Sequence, residues 1–462
     1  MKYIRIHLAI AMTIAALATL AQRQTPPAGG TPKDFSLPDK SAISLENGMK
    51  ATLVKYGAVP KVNVSLIIKT GNVHENADQV WLADLTGNLL KEGTATMNFA
   101  AISKKVAAMG GSINVNVGID QTTISGAVLS EYAGELIAVM SELVMNPAFP
   151  ASEIDRLKND LKRQLAVQKA RPQAQAAEKF FQTIYPNHPY GRYFPSEEML
   201  AAYTVDMVKD FYRDNFGAQR STLYVVGKFD EAGVTAAIKK SFSPWTTGPA
   251  INYPEATPKH TNEIVQVDRK GAPQTTVLVG LPTLRPNDPD YISLELTNSL
   301  LGGSFGSRIT RNIREDKGYT YSPRSVIQNR KSGSVWYEQA DVTTEHTGAS
   351  LTEIAKEINR LQKEMPSKEE MDGIKNYEAG IFVLRNSTPG GIIGQLNFLD
   401  LHGLKDDYLT NRVKNIYAVT PEKVSQMAKD HLKYEDMTLV LIGDKASIEK
   451  QKKLLEDSRK IQ

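Results

Sequence analysis

No cysteine occurs among the 462 residues. Disulfides, thiolate metal sites and a lipidated N-terminal cysteine are therefore excluded. Histidine is also scarce. The seven are His7, His74, His188, His260, His346, His402 and His431, and no two stand within one helical turn, so the chain lacks the paired imidazoles of a helical zinc site. Basic runs do not exceed short groups such as Lys104-Lys105 and Lys452-Lys453, and the formal charge is only +4. A nucleic-acid binder would gather far more cationic charge on one face.

What is present is ample for buried cores. Hydrophobic residues make up 41% and charged residues 23% of the chain, the balance of a globular protein, and the length favours two or more domains. Lys2 and Arg5 precede an apolar stretch from Ile6 to Ala21 that ends in small residues and then Gln22-Arg23-Gln24. This is the pattern of a cleavable signal peptide, residues 1–21, and it implies an exported, soluble, periplasmic protein without a stable membrane anchor. Cleavage there leaves a formal charge of +2. A Pro-, Gly- and Thr-rich leader fills 22–40, and a second such stretch, 244–262, reads as a linker between domains at 41–243 and 263–462.

The two halves resemble each other. Ser221-Thr222-Leu223-Tyr224-Val225-Val226-Gly227 is answered by Met437-Thr438-Leu439-Val440-Leu441-Ile442-Gly443, and Phe149-Pro150 by Met365-Pro366, both at an offset of 216 residues. A looser match, Gly111-Ser112-Ile113 against Gly333-Ser334-Val335, lies at 222. Two matches at one offset point to a duplication. Period-two alternation at Val62, Val64, Leu66 and Ile68 predicts a half-buried strand, and helical periodicity marks 77–90, 100–109, 131–144 and 152–169. The expected fold class is α+β: two homologous domains, each with helices packed on one face of a mixed or antiparallel sheet.

The segment Trp81-Leu82-Ala83-Asp84-Leu85-Thr86-Gly87-Asn88-Leu89-Leu90-Lys91-Glu92-Gly93-Thr94 is similar to the inverted zinc-motif helix of the pitrilysin/insulinase metallopeptidases. There a His-x-x-Glu-His run supplies two zinc ligands and the general base, and a later helix supplies a glutamate ligand. In this sequence Asp84 and Asn88 stand at the histidine positions, Gly87 at the base and Gln164 at the third ligand. An all-oxygen set with one charge would hold only a hard cation, and weakly, so no metal is expected in this chain. Trp81, where the family has a small glycine, is expected to help fill the former cleft; otherwise it is a core anchor.

Further along, Leu301-Gly302-Gly303-Ser304-Phe305-Gly306-Ser307-Arg308 leads into Asn312-Ile313-Arg314-Glu315, with Tyr321 seven residues after Arg314. This resembles the family's second-domain signature, a glycine turn at Gly302 and Gly303 followed by an Arg and a Tyr that reach the substrate across a chamber. The resemblance implies that Arg314 and Tyr321 donate hydrogen bonds to a carbonyl that gains charge. The alternative is a surface ion pair of Arg314 with Glu315 or Asp316 and a core position for Tyr321. The run Gly110-Gly111-Ser112-Ile113-Asn114-Val115-Asn116 resembles the family's substrate-pairing strand, which places Asn114 and Val115 as peptide-binding candidates. Half-size family members pair, some with one zinc subunit and one zinc-less subunit. The resemblance thus implies a heteromeric partner carrying intact zinc ligands, with this chain as the inactive subunit of a metalloendopeptidase acting on peptides. A homodimeric peptide-binding or chaperone-like protein and, more remotely, an autonomous peptidase with unusual ligands remain open.

Overall fold

Residues 36–461 are described by the computed structural model. The expected signal segment and most of the leader lie outside them. The first half forms a six-stranded sheet from β1 (Lys40–Ser44), β2 (Lys50–Lys55), β3 (Lys61–Ile68), β4 (Ser112–Val117), β5 (Thr122–Leu129) and β6 (Ser221–Gly227), in the order β1-β2-β6-β3-β5-β4. The second half repeats this arrangement without a counterpart of β1, in a five-stranded sheet of β7 (Ile264–Asp268), β8 (Gln274–Pro282), β9 (Arg324–Arg330), β10 (Gly333–Thr343) and β11 (Thr438–Gly443), in the order β7-β11-β8-β10-β9. Both sheets are mixed. β6 runs parallel to β2 and antiparallel to β3, and β11 has the same relation to β7 and β8. The two strands related by the 216-residue offset thus hold equivalent central places, where burial on both faces explains their unbroken apolar character. The looser match does not hold: Gly111 leads into edge strand β4, whereas Gly333 opens β10, an inner strand.

One side of each sheet carries that half's own helices, as periodicity predicts. In the first half these include α1 (Leu82–Lys91) and α2 (Ile154–Ala170), with Leu82, Leu85, Leu89, Leu157, Leu161 and Leu165 in one core with the β3 side chains Val62, Val64, Leu66 and Ile68. The opposite faces are not left to solvent. Helix α3 (Pro172–Ile184) of the first half lays Ala176, Phe180, Phe181 and Ile184 on Leu278, Val440 and Ile442 of the second sheet.

The second half contributes α4 (Thr347–Lys363) and α5 (Lys368–Arg385) to its own core. Its helix α6 (Pro389–His402) returns the exchange, setting Ile392, Ile393 and Leu396 against Val54, Ile67, Tyr224 and Val226. Strand β3 is therefore buried on both faces along most of its length, not half-buried as its alternation suggests. Each large aliphatic side chain so covered is worth about 1.5–3 kcal/mol.

Polar bonds register the exchange. Lys69 pairs with Asp400 at 2.9 Å. Gln121 and Asn397 exchange amide hydrogen bonds of 3.1 and 2.9 Å. Buried Asp120 accepts from the Tyr190 hydroxyl at 2.7 Å and from the Lys331 backbone N–H at 3.0 Å.

Candidate functional site

Helix α1 begins without a capping side chain of its own. Its N-cap is Trp81, in the left-handed region at φ 71°, a strained choice for a bulky residue. The missing cap comes from a loop. Buried Glu75 accepts from the Trp81 N–H at 3.0 Å and the Ala83 N–H at 2.8 Å, placing its carboxyl where the first turn leaves orphan donors. The Asn72 side-chain amide then bridges two acids, donating to Glu75 Oε1 at 3.0 Å and to Asp84 Oδ2 at 2.7 Å. Asp84, at the first histidine position of the family motif, is thus tied into a closed polar cluster. The Trp81 ring stands half-buried at the edge of the core, edge-on to Phe194 at 6.3 Å.

The general-base position is closed by packing. A Cβ on Gly87 would sit 2.5 Å from Val117 Cγ2 and 3.5 Å from Val115 Cγ1. Edge strand β4 therefore lies directly on the helix where a glutamate side chain would have to emerge. Asn88 is half-buried, and Gln164 is exposed on α2, with no hydrogen bond joining it to Asp84 or Asn88. Among the described residues no group of three His, Cys, Asp or Glu side chains is placed to hold a metal ion. The donor set does not fit zinc: the single carboxylate is engaged by Asn72, and the rest is neutral, missing or turned to solvent.

Sequence reasoning missed Glu75. The signal was a lone acid in a polar loop ahead of a helix without a Ser, Thr, Asp or Asn cap. Burial and the neighbouring Asp84 charge raise the Glu75 carboxyl from 4.5 to about 8, against the pull of its N–H donors. Burial likewise raises Asp84 from 3.8 to about 6, with Asn72 opposing. The folded state holds these protons more tightly than the unfolded state. The stabilisation is therefore complete below the ordinary carboxylate range and is lost as pH rises through about 6 and then about 8. Glu75→Gln is expected to flatten the fall in unfolding free energy between these limits, a difference on the order of 2–4 kcal/mol. Denaturant unfolding at pH 5 and pH 8.5 measures it, and identical slopes for variant and parent would refute the assignment.

Among the described residues strand β4 is an edge strand, paired only with β5. Asn114 is exposed and Val115 half-buried, and the strand borders a cavity of about 420 Å³ that is also lined by Phe99, Ile102 and Val106. An extended peptide could add there by main-chain hydrogen bonds, with apolar side chains entering the groove.

The glycine turn of the second half is set by close approach. A Cβ on Gly302 would lie 2.6 Å from Glu338 Oε2, and one on Gly303 2.5 Å from Asn298 Nδ2. Glu338 is fully buried, and burial pushes its carboxyl well above the ordinary range. The turn ends one π-helical segment, Ser299–Gly303, and a second, Arg311–Asp316, follows. Such widened turns recur at functional sites.

Here Arg314 and Tyr321 meet. The guanidinium stacks 4.5 Å from the centre of the Phe305 ring and 4.9 Å from that of Tyr321. Tyr321 is 81% exposed and Phe305 73% exposed, so the core position considered for Tyr321 is wrong. The ion pair considered for Arg314 does exist, with Nε 3.4 Å from Glu315 Oε1. It leaves the rest of the guanidinium in the aromatic sandwich, which holds the cation in place at a solvent face.

Residues 52–194 match the family model described as insulinase (peptidase family M16), and residues 202–377 match the one described as peptidase M16 inactive domain. A Bacillus subtilis relative, named as an uncharacterized zinc protease, is 23% identical over 86% of this chain and 97% of its own length. Among solved structures, a peptidase M16 inactive domain from Pseudomonas fluorescens superposes with a TM-score of 0.80 at 23% identity, covering 88% of this chain and 98% of that one. The periplasmic protease PqqL from Escherichia coli superposes at 0.75 and 14% identity, with 92% of this chain covering 51% of that one. The α+β architecture of two homologous domains is common to these folds.

Proposed function

This chain belongs to the insulinase family, peptidase M16, as an inactive homologue, and we propose that it serves as the non-catalytic subunit of a heteromeric zinc metallopeptidase. The observation that carries this reading is the contrast between its two functional surfaces. Around α1, Asp84 is sequestered by Asn72 and the base position is closed by Val117. The second-domain pair, by contrast, is intact: Arg314 and Tyr321 stand together, and Tyr321 is open to solvent. A guanidinium and a phenol presented outward are suited to donating hydrogen bonds to a carbonyl held by another subunit's metal. PqqL, of which this chain covers 51%, offers a single-chain parallel for two such halves. The partner is then a family member with an intact His-x-x-Glu-His, and the substrates are extended peptides enclosed between the subunits. The N-terminal segment supports a periplasmic location, and among the described residues no helix is long and apolar enough to cross a membrane.

Co-expression with such a partner, followed by an assay on an unstructured peptide, tests the proposal. Chelator-sensitive hydrolysis is expected from the mixture and none from this chain alone. Stoichiometric zinc and hydrolysis by the isolated chain would overturn it. Edge strand β4 and its apolar groove favour a second reading, a homodimer that binds peptides without cutting them. Recovery of only self-associated chain from the native source would favour that alternative.

A further inference from the structure

The linker between the halves is strapped to the first half by two histidines that use their rings in the same way. His74 Nδ1 accepts from the Gly71 N–H at 3.2 Å, and its Nε2 stands 2.8 Å from the Asn252 carbonyl oxygen. His188 Nδ1 accepts from the Tyr190 N–H at 3.1 Å, and its Nε2 stands 3.1 Å from the Pro254 carbonyl oxygen. An Nδ1 that accepts carries no proton, so in each neutral ring the proton sits on Nε2 and is donated to the linker. Among the described residues these two are the hydrogen bonds that hold the backbone of 249–258. Between the two clamped carbonyls stands Tyr253. Its hydroxyl donates to the Asp120 backbone oxygen at 2.8 Å, and its ring lies 5.1 Å from that of His74. With Ala256 it packs into the cluster where helix α3 meets the second sheet. The clamps thus seat the linker in the core that joins the halves.

A second proton on either ring would go to Nδ1, where it meets the hydrogen of a backbone donor. The ring must then turn, and turning takes Nε2 away from the linker carbonyl. The neighbours mostly oppose that charge. Arg220 faces His74, and Arg192 and Arg330 face His188, where Asp120 alone favours it. The Glu75 carboxyl, next to His74 in the chain, is turned to helix α1. The phenols of Tyr185, Tyr190 and Tyr253 stay protonated. Burial, then Arg220, lowers His74 from 6.5 to about 4, and burial with Arg192 and Arg330 lowers His188. The stability that the clamps contribute is therefore complete above the ordinary histidine range and is lost as pH falls towards about 4.

We propose that His74 and His188 form an acid-sensitive latch, which holds the linker against the first half at neutral pH and releases it on acidification. Release unseats Tyr253 and loosens the joint between the halves. The latch requires neither a partner subunit nor peptide cleavage, so it stands or falls separately from the proposed subunit role.

Cleavage after Glu255, exposed in the strapped stretch, reads the latch in the purified full chain. A glutamyl endopeptidase active at both pH 7 and pH 4.5 is used, and each rate is divided by that of a free peptide of residues 249–262 at the same pH. Where opening is fast relative to cleavage, this ratio follows the open fraction. It is expected to rise at least about tenfold from pH 7 to pH 4.5, since each pH unit below the ordinary histidine value can raise the open fraction up to about tenfold per proton taken up. The doubly substituted His74→Gln, His188→Gln chain keeps an N–H donor on each side chain but cannot take up the proton, so its ratio should change by less than about twofold. A parent ratio that stays flat overturns the proposal without recourse to any variant. So does a rise in the double variant equal to the parent's, which would assign the opening to other groups, or cutting throughout the chain at the rate of the Glu255 cut, which would be global unfolding.

Discussion

A glutamate at position 87 is expected to lower the unfolding free energy by about 3–5 kcal/mol. The cost has two sources. The first is steric: Val117 Cγ2 lies 2.5 Å from where the new Cβ must go, so Val117, stiff at χ1, has to leave its rotamer or shift with its strand. The second is electrostatic. The new carboxylate would emerge on a buried helix face one turn from Asp84, where burial already raises two acids towards neutrality. Relief of helix strain on replacing glycine returns only about 1 kcal/mol. Adding Asp84→His, Asn88→His and Gln164→Glu to complete the family's ligand set is therefore not expected to yield stoichiometric zinc. Denaturant unfolding measures the loss, and Val117→Ala in the Gly87→Glu background should recover the steric share. A Gly87→Glu protein as stable as its parent would mean that β4 does not close the position.

In the reconstituted pair, Arg314→Ala is expected to lower kcat by about 10²-fold, and Tyr321→Phe by roughly tenfold. A donor that acts mainly on the charge developing at the carbonyl lowers kcat more than it alters KM. Arg314→Lys is not expected to rescue, because an ammonium lacks the planar face that Phe305 and Tyr321 sandwich. The control is stability. Both rings stand largely in solvent, and an exposed cation–π contact contributes only about 0.5–1 kcal/mol, so melting temperatures should scarcely move. Full turnover in the Arg314→Ala pair would remove the role assigned to it.

Much of the architecture is legible along the chain because it depends on local periodicity. The 216-residue repeat falls on β6 and β11, the periodic stretches 77–90 and 152–169 contain most of α1 and α2, which start only at Leu82 and Ile154, and Arg314 and Tyr321 are close enough in sequence for one turn to bring them together. The alternation of β3 misleads, since its polar face is covered by a helix more than 300 residues away. The match of Gly111 with Gly333 misleads for a related reason: glycine-led strand starts look alike whether the strand becomes an edge or a centre. Phe305 lies within the glycine turn, but its contact with Arg314 is one that no spacing rule contains.

Which chemistry this chain can no longer perform was decided by residue type alone, since asparagine, glycine and glutamine at the motif positions can neither grip zinc nor activate water. What replaced that chemistry was decided by packing. Only the folded chain brings Asn72 between Glu75 and Asp84, lays Val117 over Gly87 and exchanges α3 and α6 between the sheets. The distinction is physical: a side chain carries its donors and charges wherever it stands, while their satisfaction depends on neighbours contributed by distant segments.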